Sequence, residues 1–326
     1  MNTQNYTLEK HLEAICREDS DYNVLLAAWR LNKENLALAL STISSSFPHY
    51  SRHDATHSSK ILDNIQRLLG QDRIERLGAT DTFLILMAAM THDLGMYLYY
   101  GMLEEKWKED KMEALLKNYS QSDDKTIAQA ARLLLNFNRC TDDPAQSYLW
   151  ALEIKNAVTL IIAHQMRGGH EKRSAQYIED DDFIAKLTHG FHFELLPSRY
   201  LTLLSKVAYL HGTNFDEVMK ILKQNADGYK GDFIHPRFIA CMIRMGDLLD
   251  IDSNRFNDFA SSMIKEVPES SKAHFDKHQA VKHLLISPSG IEAELDCKTD
   301  ASYRVARQVF DWLEKEVESE PICSSL

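Results

Sequence analysis

The sequence predicts a mainly helical protein with one small β element near its carboxyl end. Only 12 Gly and 7 Pro occur in 326 residues, which leaves long stretches without helix breakers. Apolar residues recur at helical spacing through most of the chain. The stretch VKHLLISPSGIEAELDC instead places two short runs around Pro-Ser-Gly, a pattern typical of a β-hairpin. We therefore expect an all-α bundle that carries a small C-terminal β-hairpin and a terminal helix.

The amino-terminal half contains the clearest helix signals. Residues 7–46 predict two helices, and Pro48 then breaks the chain in SSSFPHYSRHD. A helix from about Ala55 to Leu69 should end at Gly70, a common C-terminal stop. The run DTFLILMAAMTHDLG at 81–95 is apolar nearly all round. Such a run is typical of a buried helix.

The rest of the chain alternates apolar helices with polar breaks. Residues 150–165 are again strongly apolar, whereas MRGGHEKRSAQYIEDDD after them predicts a polar, mobile excursion. Other predicted helices cover 102–118, 126–138, 183–189, 199–211, 215–224, 235–250 and, after the hairpin, 301–318. We expect a helical extension at 1–46, a core at 47–255, and a hairpin-plus-helix part at 256–326 packed on that core.

Charge and cysteine content exclude several classes of protein. The net charge of −11 opposes non-specific binding to duplex nucleic acid or to anionic membranes. The five Cys form no CxxC pair, which favours reduced thiols over a disulfide frame or zinc knuckle. No signal core and no run near ~18 apolar residues occur. We expect a cytoplasmic protein that does not span a membrane.

Six ionisable side chains lie on the apolar faces of five predicted helices. Because residues three or four apart share a helix face, His57 lies on one stripe with Ile61 and Ile65, and Asp247 with Ile243. The same phasing turns four others inward: His92, Asp93, His164 and His211. Unpaired buried charges are costly, but this set could bind a divalent ion such as zinc, iron, nickel or manganese. Each His alone could equally be a hydrogen-bonded core residue, so only the ordered set favours a metal.

A second His-Asp dipeptide, His53-Asp54, precedes the helix that carries His57. Asp54 is best explained as the N-cap of that helix, accepting a backbone N–H in the first turn. His53 lies four residues before His57. It could donate a proton to a leaving group or contact phosphate, or it could equally be a solvated loop histidine.

The ordered set resembles the HD superfamily of metal-dependent phosphohydrolases. Its signature is a His on one helix, a His-Asp pair that ends a buried helix, and a distal Asp. These match His57 in THSSKIL, His92-Asp93 in AAMTHDLGM and Asp247 in MIRMGDLLDID, within roughly residues 47–255. More narrowly, the chain is similar to HD-type modules of bacterial multidomain proteins, some of which stand beside an Hsp90-like ATPase.

The resemblance implies an HD-type helical bundle that holds one or two divalent ions, with Mn, Fe, Zn, Ni or Mg as candidates. One ion would be bound by His57, His92, Asp93 and Asp247. His164 in IIAHQMRGG and His211 in AYLHGTN match the extra histidines of two-metal members, in which Asp93 would bridge the ions. An activated water would then attack phosphorus, with Asp93 and His53 as the catalytic residues.

Substrate contacts are less well defined by the sequence. Arg52, Arg167 and Arg244 flank the ligand motifs and are candidate phosphate contacts. Arg167 begins RGGHEKR, which could instead be a mobile polar loop, and Arg244 could simply pair with a carboxylate. Asp250 and Asp252 are expected to support the site or end a helix rather than bind metal. Met96 stands where some phosphodiesterase branches have Lys in His-Asp-x-Gly-Lys, which argues against cyclic-di-GMP as substrate.

We therefore expect a phosphohydrolase or phosphodiesterase that acts on a small phosphorylated substrate such as a nucleotide. Two alternatives stay open. One is a metal-stabilised regulatory or nucleotide-sensing module with little turnover, whose homo-oligomer or partner-protein contacts would use the C-terminal region. The other is a single-strand nuclease, supported by the basic stretch at 167–173.

Overall fold

The structure is a computed structural model that describes residues 7–51, 53–108, 111–136, 144–180, 183, 196–251 and 265–318. Helices dominate it, as the sequence predicts. In chain order they are α1 (Leu8–Glu18), α2 (Asn23–Ser46), α3 (Ala55–Ile74), α4 (Ala79–Thr91), α5 (Tyr100–Lys108), α6 (Lys111–Tyr119), α7 (Lys125–Leu135), α8 (Pro144–Arg167), α9 (His170–Glu179), α10 (Ser198–Leu210), α11 (Phe215–Ile221), α12 (Pro236–Leu248), α13 (Glu269–Ala280) and α14 (Asp300–Glu318). Among the described helices, none combines the length and the apolar character needed to cross a membrane.

Helix α4 is the centre of the fold. All of its residues are buried, as the all-round apolar run predicts. Helices α1, α2, α3, α10 and α12 pack around it. The amino-terminal helices share this core, since Leu8 of α1 and Trp29 of α2 are fully buried within it. The carboxyl end of α4 therefore lies among these helices, in the interior of the fold.

Helix α3 begins as predicted but ends later. Asp54 is its N-cap and accepts the backbone N–H of Thr56 at 2.9 Å, which confirms the capping explanation. The backbone leaves helical geometry at Gly70 (φ 68°, ψ 168°) and then forms one further turn to Ile74. The predicted stop at Gly70 is therefore a kink.

Helix α9 replaces the mobile excursion that the sequence predicted after α8, so that prediction is wrong. Ser174 and Ile178 are buried and lie four residues apart on one face of α9. This face packs on α10 and on the short 3-10 turn Leu94–Met96. A Cβ on Gly95 would collide with the backbone of α9, so the close approach requires glycine. The predicted helix at 183–189 lies outside the described residues apart from Phe183.

The carboxyl-terminal part contains the predicted hairpin and helix. Strands β3 (Val281–Ser287) and β4 (Gly290–Leu295) pair antiparallel across a two-residue turn, which confirms the hairpin. A pair of two-residue strands, β1 (Ala226–Asp227) and β2 (Phe233–Ile234), was not predicted. Apolar residues of α14, including Val309 and Leu313, pack with Met245 of α12 and Ile286 of β3. The hairpin and α14 are thus anchored to the helix that carries Asp247.

Candidate metal centre

Four imidazoles and two carboxylates meet at the carboxyl end of α4. They form two groups whose ligand atoms lie within 4.8 Å of one another, and no further group of this kind occurs among the described residues. The first group consists of His57 on α3, His92 at the end of α4 and Asp247 on α12. The second group consists of Asp93, His170 at the start of α9 and His211 just after α10.

The first group is the more deeply buried of the two. Nε2 of His57 lies 3.2 Å from Oδ1 of Asp247 and 3.5 Å from Oδ2 of Asp93. On its other side, Nδ1 of His57 donates to Oδ2 of buried Asp250 at 2.6 Å. His57 and Asp250 are 193 residues apart in sequence. Asp250 therefore orients the imidazole of His57 and belongs to neither group.

All four imidazoles are held in the same tautomer. Nδ1 of His92 lies 3.0 Å from the carbonyl oxygen of Ala89. The corresponding acceptors are the carbonyl oxygens of Arg167 for His170, at 3.0 Å, and of Ala208 for His211, at 2.5 Å. Because carbonyl and carboxylate oxygens only accept, each Nδ1 must carry the hydrogen. A neutral ring of this kind presents a lone pair at Nε2, as metal-binding histidines do.

At His92, His170 and His211 the surroundings of Nε2 favour a cation. Nε2 of His170 and Nε2 of His211 face each other at 3.2 Å. Nε2 of His92 is buried and has no hydrogen-bond partner within the described chain. Only a proton or a cation between the Nε2 atoms of His170 and His211 makes their close approach favourable. The donor set of imidazole nitrogens and carboxylate oxygens fits a divalent ion such as zinc, manganese, iron or nickel.

Asp93 joins the two groups through one carboxylate. Oδ2 lies 3.0 Å from Nε2 of His92, whereas Oδ1 lies 3.4 Å from Nε2 of His170 and 3.8 Å from that of His211. A single carboxylate that spans both groups can bridge two ions.

Burial and neighbouring charge set the protonation of this centre. Burial opposes ionisation of Asp93, yet the neighbouring imidazoles of His92, His53, His170 and His57 hold its pKa well below the ordinary range. Burial, reinforced by His92 and His170, lowers the pKa of His211 to about 4. Burial also opposes charge on His170, but Asp93 raises its pKa above the ordinary value. Asp93 is therefore anionic and His211 neutral.

His53 lies at the edge of the centre between the two groups. Its ring centroid is 5.8 Å from that of His57 and 6.5 Å from that of His170. Nδ1 of His53 lies 2.6 Å from the carbonyl oxygen of Ser51, and the side chain is half-buried. The structure thus places it beside the ligands rather than in a solvated loop.

His164, which the sequence assigned to the second ion, belongs to neither group. Its ring packs edge-on against Tyr119 at 4.9 Å between centroids. The inner face of α8 here joins a separate apolar cluster with α6 and α7, which includes Ile161 and Ile127. His164 therefore points inward, as predicted, but toward the apolar cluster of α6, α7 and α8 and away from the metal centre. His170 takes the place expected for it.

Of the three candidate phosphate contacts, Arg244 is not available to a phosphate and instead pairs with a carboxylate, the alternative that the sequence left open. Its buried guanidinium pairs with Glu316 and donates to backbone carbonyls, so its donors are already occupied. Arg167 is exposed, 5.2 Å from the Tyr50 ring centroid, and its Nη2 lies 3.4 Å from Nε2 of His274. Arg52 lies outside the described residues, as does Asp252.

Sequence reasoning missed His170 because it lies in a strongly polar stretch. One signal could have found it, since His170, Ser174 and Ile178 follow one another at four-residue spacing on a helix face. Arg173, in the same polar stretch, donates from its guanidinium to the carbonyl oxygens of Gly95, Gly168 and Met166. These bonds hold the turn before His170 against the turn after Asp93.

Comparisons with known proteins give one finding. A protein-family model described as HD-CE matches residues 47–321. The match includes both ligand groups, the β3–β4 hairpin and the whole of α14. No curated protein and no solved structure matches the chain.

Proposed function

This chain belongs to the HD-CE family, and from that premise we propose that it is a metal-dependent phosphohydrolase or phosphodiesterase acting on a nucleotide or another small phosphate ester. The HD-type domain and its His/Asp cluster support a metal-dependent role. The observation that carries the proposal is the 3.2 Å approach of Nε2 of His170 to Nε2 of His211, beside the one carboxylate that spans both groups.

The charge balance of the centre favours a phosphate substrate. Divalent ions bound there would polarise a phosphoryl oxygen and lower the pKa of a water. The chain supplies two anionic ligands, Asp93 and Asp247. Together they carry less negative charge than two divalent ions carry positive charge. The neutral His211 adds none. The centre would thus attract an anionic ester, although the chain as a whole is acidic.

His53 is suited to move a proton at the edge of this centre. Because its Nδ1 donates to a carbonyl, Nε2 is the atom that would give a proton to a departing oxygen. Arg167 remains a proposed substrate contact, since its exposed guanidinium lies three residues before the ligand His170. A guanidinium at this position would pair with a second phosphate or a sugar-linked oxygen.

Metal content and turnover measured on the same preparations test the proposal. Wild type, Asp93→Ala, His53→Ala and His164→Ala would be purified without nickel affinity chromatography and analysed by inductively coupled plasma mass spectrometry. A panel of phosphomonoesters and phosphodiesters, nucleotides included, would then be assayed with the metal found. We expect ions in wild type, His53→Ala and His164→Ala but not in Asp93→Ala, and turnover in wild type and His164→Ala only.

Two results would contradict the proposal. One is full turnover by Asp93→Ala. The other is a wild type that retains no ion after reconstitution with manganese, iron, zinc or nickel.

A regulatory module is the second candidate function. Large apolar side chains stay exposed on the carboxyl-terminal part, among them Trp312 (47 %), Val317 (46 %) and Leu285 (47 %). Scattered exposed apolar residues are common, but these lie on the hairpin and helix that a minimal HD signature does not need. Bound metal without turnover on any ester of the panel would favour this function.

A further inference from the structure

Arg244 connects the turn that carries His211 to the last helix of the chain. Its side chain extends from α12 and is 7 % exposed. Nη1 donates to the carbonyl oxygen of Leu210 at 2.5 Å and to that of Thr213 at 2.6 Å. Nε donates to Oε1 of Glu316 at 3.0 Å, and Nη2 binds the same oxygen. One guanidinium thus contacts the residues on both sides of His211 and a carboxylate of α14.

These contacts depend on one another. The last carbonyls of a helix have no partner within the helix, and a cation there also offsets the negative end of its dipole. A guanidinium buried to this degree needs a carboxylate, since an uncompensated buried charge is very costly. Glu316, itself 5 % exposed, supplies that carboxylate from 72 residues further along the chain.

The effect should fall on the second group alone. His211 is its ligand, and Nδ1 of His211 is held by the carbonyl oxygen of Ala208 in the same helix end. Among the described residues Glu316 forms its hydrogen bonds and ion pair with Arg244 and with no member of the first group, whose ligands are oriented by Asp250 and by the end of α4. Loss of Glu316 should therefore loosen His211 and leave His57, His92 and Asp247 in place.

We propose that Glu316, acting through Arg244, is a positioning residue for His211, so that α14 sets the affinity of the second group for its ion. The inference rests on the proposed function in taking both groups to hold ions, but it does not depend on which ester is hydrolysed. The proposal also gives the carboxyl-terminal part, through α14, a role at the metal centre.

Cobalt titration of metal-free protein tests this proposal. Co²⁺ would be added to wild type and to Glu316→Gln, with visible absorption and calorimetry used to separate two binding steps. The step that fills the second group, identified as the one that His170→Ala weakens, is called the second step. Its affinity should fall by about 10- to 100-fold, the usual cost of losing a group that orients a ligand, and the first step should not change. Glu316→Asp, which keeps the charge, should restore part of the loss.

Arg237→Ala is the matched control. Arg237 extends from the same helix α12 and donates to the carbonyl oxygens of Leu222 and Met219 at 2.9 Å. These lie at the end of α11, which carries no ligand. The control should lower thermal stability without changing either cobalt step. If Glu316→Gln does not fold, Arg244→Lys keeps the charge but not the forked contacts, and should show the same selective loss.

Three outcomes overturn the proposal: equal weakening of both steps in Glu316→Gln, no change in either, or a wild type that binds a single ion. The proposed hydrolase function fails separately, when a two-ion wild type turns over no ester. A selective second-step loss would stand in that case.

Discussion

The two ligand groups sit side by side but are built differently. The first group extends from α3, α4 and α12, which pack directly against one another around the apolar core. The second group is assembled at helix ends, with His170 opening α9 and His211 following α10. Its parts are held by arginine-to-carbonyl bonds and by the close approach at Gly95. One group thus depends on side-chain packing, and the other on backbone hydrogen bonds.

The largest effect is expected when Asp93, the residue that joins the two groups, is removed. Asp93→Ala should reduce the affinity of both groups by about 100-fold or more, because ligand and bridge are lost together. Metal per chain after exhaustive dialysis measures this. Asp124→Ala is the control, since it removes the N-cap of α7 at a cost of about 1 kcal/mol, and α7 carries no residue of either group. An ion retained in Asp93→Ala would show that the groups are independent.

A second test compares His164 with His170, which lies six residues further along the chain. His170→Ala should weaken the second group by about 10- to 100-fold and leave the first group unchanged. His164→Ala should leave both groups intact, because its ring packs against Tyr119. Equilibrium dialysis with a divalent ion compares the two variants. A loss in His164→Ala that matches the loss in His170→Ala would restore the ligand set implied by the sequence.

The first group has its own orienting residue. Asp250→Ala should lower the affinity of the first group by about 10-fold, since His57 loses the acceptor of its Nδ1–H. Asp250→Asn, which keeps an acceptor oxygen, should lose less. Cobalt titration would report both variants, and a change confined to the second step would contradict the assignment.

The smallest effect lies outside both groups. Burial, with Arg167 nearby, lowers the pKa of His49 to about 4, and neither ring nitrogen has a partner among the described residues. Its neutral form stabilises the fold above the unfolded pKa of about 6.5, and this contribution is lost as pH falls toward 4. We expect a loss of about 1 kcal/mol between about pH 7 and 5.5.

Urea unfolding at both pH values would measure the His49 effect. His49→Phe should remove it, whereas Asp93→Ala should retain it because the effect belongs to neither ligand group. An unchanged pH dependence in His49→Phe would assign the effect to other groups.

The contrast between the groups also explains what the sequence could predict. Helical phase identified His57, His92 and Asp247, because their side chains face the one core that α4 organises. Phase shows only that a residue points inward. It could not show that α8 faces a second apolar cluster, so His164 was chosen in place of His170.

Backbone contacts were the other limit. The hydrogen bonds from Arg173 and Arg244 are accepted by backbone carbonyl oxygens. Because every residue carries such an oxygen, no pattern of side chains predicts these bonds. The hairpin and most helices were predictable because their signals are local, namely spacing, caps and turn residues. Arg244 illustrates the difference, since its position beside a ligand motif was visible and its partner 72 residues away was not.

The separation of 193 residues between His57 and Asp250 has a consequence for biosynthesis. A nascent chain emerges from the ribosome with His57 and His92 long before Asp247 and Asp250 exist. The first group can therefore be completed only after the chain has been made as far as the end of α12. An ion held by both α3 and α12 would bind only the folded arrangement and would therefore stabilise it against unfolding. Metal supply would in this way act late in the maturation of the fold.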